Sequence, residues 1–162
     1  MCGRRETGSP VENLRRPESV LVIVYTDDAK VLLLRRSAPF DFWQSVTGSL
    51  DPGETPADAA RRELLEETGL SGAGRLVDSG VSRSFRIDPR WLDRYPPGIT
   101  ENLEHEWRYR LSLPVGIQID HDEHSEFRWA TIDEAIDAVW SWTNKEALQE
   151  LMAELRSENE SV

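Results

Sequence analysis

The sequence predicts an α/β fold, a three-layer α/β/α sandwich built around a mixed β-sheet. Three observations predict it. Short runs rich in β-branched and aromatic residues recur along the chain between turn residues. One helix with clear start and stop signals stands in the middle of these runs, and two more helix patterns close the chain.

The elements follow in order. Residues 1 to 16 are polar, with Gly, Pro and scattered charge, and read as a flexible N-terminal arm. VLVIVYT (20–26) reads as a buried strand, and TDDAK turns the chain into KVLLLRRS (30–37), its hairpin partner. FWQSVTGSL (42–50) is a further extended stretch that ends at the turn DPGE. A helix then opens at Thr55, with Pro56 in its first position and Asp58 three residues after the cap, and stops at Gly69. Ala57, Ala60, Leu64 and Thr68 share the face expected to meet the core. RLVDSGVSRSF (75–85), EHEWRYRLSLP (104–114) and EFRWAT (126–131) are strand candidates, and the Pro- and Arg-rich RIDPRWLDRYPPGIT (86–100) reads as a long, irregular and functional loop. TIDEAIDAVW (131–140) and TNKEALQELMAELR (143–156) each open on a Thr with an acid three residues later, a capping-box pattern. One domain is expected over 17–156, with a frayed tail at 157–162.

Composition limits the function. A length of 162 residues suits a single domain with a substantial core. The net charge of −11 argues against nucleic acid polymers and anionic membranes as partners, but leaves room for a local basic pocket that takes a phosphorylated small molecule. Cys2 is the lone cysteine, so neither an intrachain disulfide nor a cysteine zinc cluster is expected. VLVIVY (20–25), the longest apolar run, is too short to cross a bilayer, and the first residues lack the apolar core of a signal peptide. A cytoplasmic protein is expected.

The helix carries an unusual load. In RRELLEETGL (61–70), Glu63, Glu66 and Glu67 fall within a sector of about 100° on its surface. Like charges at these spacings each destabilise a helix by roughly 0.2–0.5 kcal/mol. Acids near its C-terminal end cost a further ~0.3–1 kcal/mol against the dipole. A hard divalent cation such as Mg²⁺ or Mn²⁺ removes both penalties, since it prefers convergent oxygen ligands. The competing reading is a solvated helix whose acids are offset by Arg61 and Arg62.

The surroundings decide between them. Gly48, Glu54, Arg62, Glu63, Glu66, Glu67 and Gly69 stand in GSLDPGETPADAARRELLEETGL (48–70), which fits G-x5-E-x7-R-E-U-x-E-E-x-G-U, with U apolar, at all nine specified positions. This resembles the signature of the Nudix hydrolases, metal-dependent enzymes that split a nucleoside diphosphate linked to another group. The resemblance implies a catalytic loop–helix–loop in which Glu63, Glu66 and Glu67 hold the metal, with the Gly48 carbonyl as a further ligand. It implies that Glu54 pairs with Arg62 to brace loop against helix, and that the small Ala59 leaves room for phosphates and water. The chemistry expected is attack of water at a phosphorus, with a carboxylate taking the proton.

The flanks carry substrate information. FWQSVTGS (42–49), RYPPGITEN (94–102), EWRYRLSLP (106–114), EHSEFRW (123–129) and SWTNKEAL (141–148), together with RRP (15–17), resemble the branch of that family that cuts dihydroneopterin triphosphate to the monophosphate and pyrophosphate in folate synthesis. By position, the resemblance makes Glu123 an additional metal ligand or the general base, with Glu67 the other candidate base. It makes Arg15, Arg36, Thr47 and Ser141 substrate contacts. Phe85 is either a stacking partner for a pterin ring or a core residue. Trp43, Trp107, Trp129, Trp140 and Trp142 read as core or interface, and His105, His121 and His124, which lack a zinc spacing, as surface residues. The expected partner is a small triphosphate, and a homo-oligomer is compatible with the sequence. The rival readings are hydrolysis of nucleoside triphosphates or dinucleoside polyphosphates by the same chemistry, and a Nudix domain that only binds a nucleotide.

Overall fold

In the computed structural model, which describes residues 14–72 and 74–161, strand β1 (Glu18–Thr26) is buried on both faces and divides the core in two. Its even residues Val20, Val22 and Val24 pack with Ala59, Ala60 and Leu64 of helix α1 (Pro56–Thr68). Its odd residues Leu21, Ile23 and Tyr25 pack with Ala135 of α2 (Ile132–Ala138) and with Ala147, Leu148 and Leu151 of α3 (Trp142–Glu160). A strand that is apolar without interruption from Val20 to Tyr25 needs a cover on each side, and these helices supply the outer layers of the sandwich.

The sheet is mixed, as expected. β2 (Lys30–Arg36) forms the hairpin with β1, while β6 (Glu101–Leu111) runs parallel to β1 on its other edge. β3 (Phe42–Gln44) and β7 (Glu126–Thr131) pair with β2, β4 (Val46–Ser49) pairs with the first half of β1, and β5 (Arg75–Arg86) closes the edge beside β6. The stretch 42–50 is thus two strands rather than one. They part at the fully buried Ser45, whose N–H donates to Asn144 Oδ1 (2.9 Å) instead of to the ladder.

Helix α1 has the predicted ends. Thr55 Oγ1 accepts from the Asp58 N–H (3.2 Å), and Gly69 adopts the left-handed conformation (φ 74°) and donates to Leu65 O. Its buried face is wider than the apolar pattern: Ala59, Glu63 and Glu67 lie on it, while Ala57 is half-buried. The cap of α3 differs from the expectation. Ser141, not Thr143, accepts from Asn144 N–H (3.1 Å), because the Thr143 side chain is buried against the sheet. The same helix continues through Glu160, beyond the boundary expected at 156.

Residues 1–13 of the expected arm lie outside the described residues. Within the rest of it, Arg15 N–H donates to Arg94 O (2.7 Å), and the Arg16 guanidinium pairs with Glu18 (2.7 Å). The loop 86–100 contains a 3₁₀ turn at Pro89–Arg94, which carries Trp91 toward Phe40, Phe42 and Trp140. Among the described residues no helix is long and apolar enough to cross a membrane.

Candidate active site

The loop between β4 and α1 is fastened to the helix by one guanidinium. Arg62 donates to both oxygens of Glu54 (2.8 and 2.7 Å), to Glu63 Oε1 (2.8 Å), to Ser49 O (3.0 Å) and, at 3.3 Å, to Glu66. The two-pronged contact holds the Glu54 carboxyl down to about 2 and keeps Arg62 charged, so brace and helix are one unit. Glu54 also accepts from Asp51 N–H (2.9 Å), which closes the turn.

Three of the predicted acids converge on one region. Glu67 is 2 % exposed, and burial, then the charges of Glu63 and Glu123, push its carboxyl well above the ordinary range. Its one donor among the described residues is Thr47 N–H (3.3 Å). Burial pushes Glu63 up to about 7 against the pull of Arg62. Glu123 is exposed at the turn before β7, and one ligand atom each of Glu67, Glu123 and His124 lie within 4.8 Å of one another. Gly48 lies against Glu63 so closely that a β-carbon would be 2.1 Å from Cδ. Glu66 differs: it faces solvent beside Arg62, since it sits on the helix side opposite the core.

This donor set suits a divalent cation. Carboxyls whose buried charged forms lack cationic partners, beside a backbone held free of side-chain bulk, are the surroundings that a hard ion completes. Arg62 neutralises one side of Glu63 only, and no arginine or lysine pairs with Glu67 among the described residues.

A cleft of about 780 Å³ runs from these acids between β1, β6, the 3₁₀ turn and the start of α3. Of the predicted substrate contacts, Arg15, Arg36, Thr47, Phe85 and Ser141 all line it. Burial, then the neighbouring charges of Arg15 and Arg94, lowers Arg36, and Glu123 and Glu67 act against them, so basic groups face the acids across the cleft mouth. The Thr47 hydroxyl donates to Val20 O (2.9 Å) and the Ser141 hydroxyl caps α3, so each side chain already has a structural partner. Phe85 is half-buried and lines the cleft from β5.

Several sequence expectations are corrected here. Ala59 is fully buried in the core under α1 and makes no room for phosphates. His124 is a buried residue: Nε2 lies 3.2 Å from Gln44 Nε2, Nδ1 has no partner among the described residues, and burial disfavours the charged ring. His105 bridges Glu18 (2.7 Å) and Ser82 (2.8 Å). Trp43, Trp140 and Trp142 line the cleft, and Trp142 is 53 % exposed, whereas Trp107 and Trp129 pack on the core. Phe42, Trp91, Asn102 and Glu104 also line it and were not singled out from the sequence. The signal present for the last two was the polar alternation of Asn102, Glu104 and Glu106, which reads as a solvent face.

The NUDIX domain model matches residues 15–153. The dihydroneopterin triphosphate diphosphatase of Escherichia coli K12 is 39% identical over 142 residues, covering 85% of this chain and 93% of that protein. The Haemophilus influenzae protein of the same name is 37% identical over 146 residues, with 86% and 89% covered. Among solved structures, the E. coli dihydroneopterin triphosphate pyrophosphohydrolase superimposes with a TM-score of 0.80 at 35% identity, covering 85% of this chain and 95% of that one. A putative NUDIX hydrolase from Listeria monocytogenes follows at 0.74 and 26%, with 88% and 97% covered.

Proposed function

The chain belongs to the Nudix family, and from that premise we propose that this hydrolase cuts dihydroneopterin triphosphate to dihydroneopterin monophosphate and pyrophosphate. The observation that carries the proposal is the cleft itself. One continuous space joins Glu63 and Glu123, suited to a polyphosphate, to the aromatic cluster of Phe42, Trp91 and Trp140, dimensions and chemistry that suit a flat ring on a triphosphate tail.

The Gly48 carbonyl, Glu63, Glu67 and Glu123 would hold a divalent cation, Mg²⁺ in our reading, whose chemistry is to neutralise polyphosphate oxygens and acidify the attacking water. The protein's own groups do the rest. Arg62 fixes the Glu63 carboxyl, Thr47 N–H orients that of Glu67, and Arg15 and Arg36 bind phosphate oxygens at the mouth. Glu67 and Glu123 are the two groups suited to take the proton from water, one buried and one at the open rim. Water attacks a phosphorus, one P–O–P bond breaks, and pyrophosphate departs. Glu66 joins the set only by turning away from Arg62. We place the reaction in the cytoplasm, and the lone Cys2 supports that setting because no intrachain disulfide can form.

The test is a substrate panel. Purified protein with Mg²⁺ is given dihydroneopterin triphosphate, ATP, dATP, 8-oxo-dGTP and diadenosine tetraphosphate, and pyrophosphate and phosphate are measured. Preferential release of pyrophosphate from the pterin supports the proposal; preference for a nucleotide overturns it.

A further inference from the structure

Two buried acceptors that line the cleft have no donor among the described residues. Glu104 is 6 % exposed and lines the cleft, yet Oε1 accepts no hydrogen bond and the carboxyl forms no ion pair among the described residues. Asn102, two residues earlier on the same face of β6, is 1 % exposed; its Nδ2 donates to Ser19 Oγ (2.8 Å), which leaves Oδ1 without a donor. A buried acceptor left unpaired is costly, and two side by side call for a partner from outside the chain.

The neighbouring Glu106 shows what a purely structural buried glutamate looks like in this sheet. It accepts from Arg83 (2.9 Å) and from Arg108 (3.2 Å). Arg83 stands directly across the ladder from Glu104, but its guanidinium is turned to Glu106, Glu146 and Glu150. The Thr143 hydroxyl is set against the Glu104 carboxyl, and the Arg83 charge acts on it only from a distance. The sheet therefore satisfies one acid of the row and keeps the other for the cleft.

We infer that Glu104, assisted by Asn102, is the specificity-determining pair that reads the amidine edge of a 2-amino-4-oxopyrimidine ring, the ring that a pterin shares with guanine. The inference rests on the cleft being the substrate site proposed above. A carboxylate takes two adjacent N–H groups side by side, here the ring N–H and one hydrogen of the 2-amino group, while Asn102 Oδ1 takes the second hydrogen of that amino group. Adenine presents an amino group beside a bare ring nitrogen, whose lone pair would face the carboxylate. A site built for N–H donors rejects such a ring by leaving its own acceptors unpaired.

The decisive variant is Glu104→Gln, which keeps the shape but turns an amide N–H₂ toward the substrate's donors. KM for dihydroneopterin triphosphate should rise about 10- to 100-fold with kcat nearly unchanged. The affinity for 7,8-dihydroneopterin, which has no phosphates, should fall by the same factor in a fluorescence titration. Wild type should prefer GTP to ATP, and the variant should lose that preference. Unchanged KM and dihydroneopterin affinity, or a loss confined to kcat, would overturn the inference. Glu104→Asp, which withdraws both oxygens by one methylene, should give the same KM-only signature if the glutamine variant does not fold. If the wild-type enzyme does not cut the pterin triphosphate, the proposed function fails alone. The GTP-to-ATP ratio of wild type and variant then still decides the role of Glu104.

Discussion

Gly48 is packed directly against the Glu63 carboxyl: a β-carbon at position 48 would stand 2.1 Å from Cδ and 2.2 Å from Oε1. The carboxyl cannot simply swing away, because Arg62 holds it (2.8 Å) and Glu63 is buried between strand and helix. A glycine is needed here for close approach rather than for its backbone freedom.

Gly48→Ala should therefore dislodge Glu63 while the sandwich survives. We expect the Mg²⁺ concentration for half-maximal activity to rise about 10- to 100-fold, the size of effect typical when the support of a metal ligand is disturbed. The circular dichroism spectrum should be unchanged. Activity measured across a Mg²⁺ titration checks this, and wild-type metal dependence would show that Glu63 is not placed by Gly48.

The Arg62–Glu54 brace should couple stability to geometry. Arg62→Lys keeps the charge and loses the fork that meets both Glu54 oxygens. In a double-mutant cycle with Glu54→Gln, urea unfolding should give a coupling energy of about 1–2 kcal/mol. Both single variants should also lose activity, since the same guanidinium positions Glu63. Additive effects on unfolding would mean that the brace is not a unit.

Local signals in the sequence mark the parts of this molecule that local rules govern. Thr55, Pro56 and Gly69 bound α1 because capping and left-handed stops act within a few residues, and Glu63, Glu67 and Arg62 are fixed by their spacing on that helix. The buried polar lining of the cleft was not legible. Glu104 and Asn102 are buried because β6 lies parallel to β1 and α3 covers that face, a long-range pairing that no short pattern encodes. Acids at every second position read as a solvent face, and the run DHDEHSE hides the buried His124 among exposed neighbours. Trp142 shows the converse: an aromatic that reads as core or interface stands half-exposed beside the cleft because Ser141 begins the helix one residue before it.

Trp142, an exposed aromatic at the edge of the cleft, offers a clean test of ring stacking there. At 53 % exposure its removal should shift the unfolding midpoint little. A ring that stacks on the substrate is worth about 1–3 kcal/mol by alanine substitution. Trp142→Ala should accordingly raise KM by about tenfold or more at nearly constant kcat. A variant with unchanged KM would remove Trp142 from the binding surface.

Stability without metal should fall as pH rises. Burial holds Glu63 and Glu104 up at about 7, against 4.5 for a solvated glutamate, and Glu67 well above 4.5. The folded chain thus keeps protons that the unfolded chain has released, so the stability present below about 4.5 is lost progressively as pH climbs through the folded values. A shift of this size corresponds to roughly 3 kcal/mol for a buried group. Glu54 and Asp88, held down to about 2, have given their full contribution before this window opens and do not change within it. His124, lowered by burial, works the other way near its ordinary value, one group against three. Urea midpoints between pH ~5 and ~7.5 should therefore decline in chelator. Mg²⁺ should recover the share that belongs to Glu63 and Glu67, because an ion that binds only the folded carboxylates stabilises the folded state. The share of Glu104 should persist with Mg²⁺ and vanish in Glu104→Gln. A flat profile in chelator would mean that the three carboxyls are solvated and that the acids of α1 need no cation.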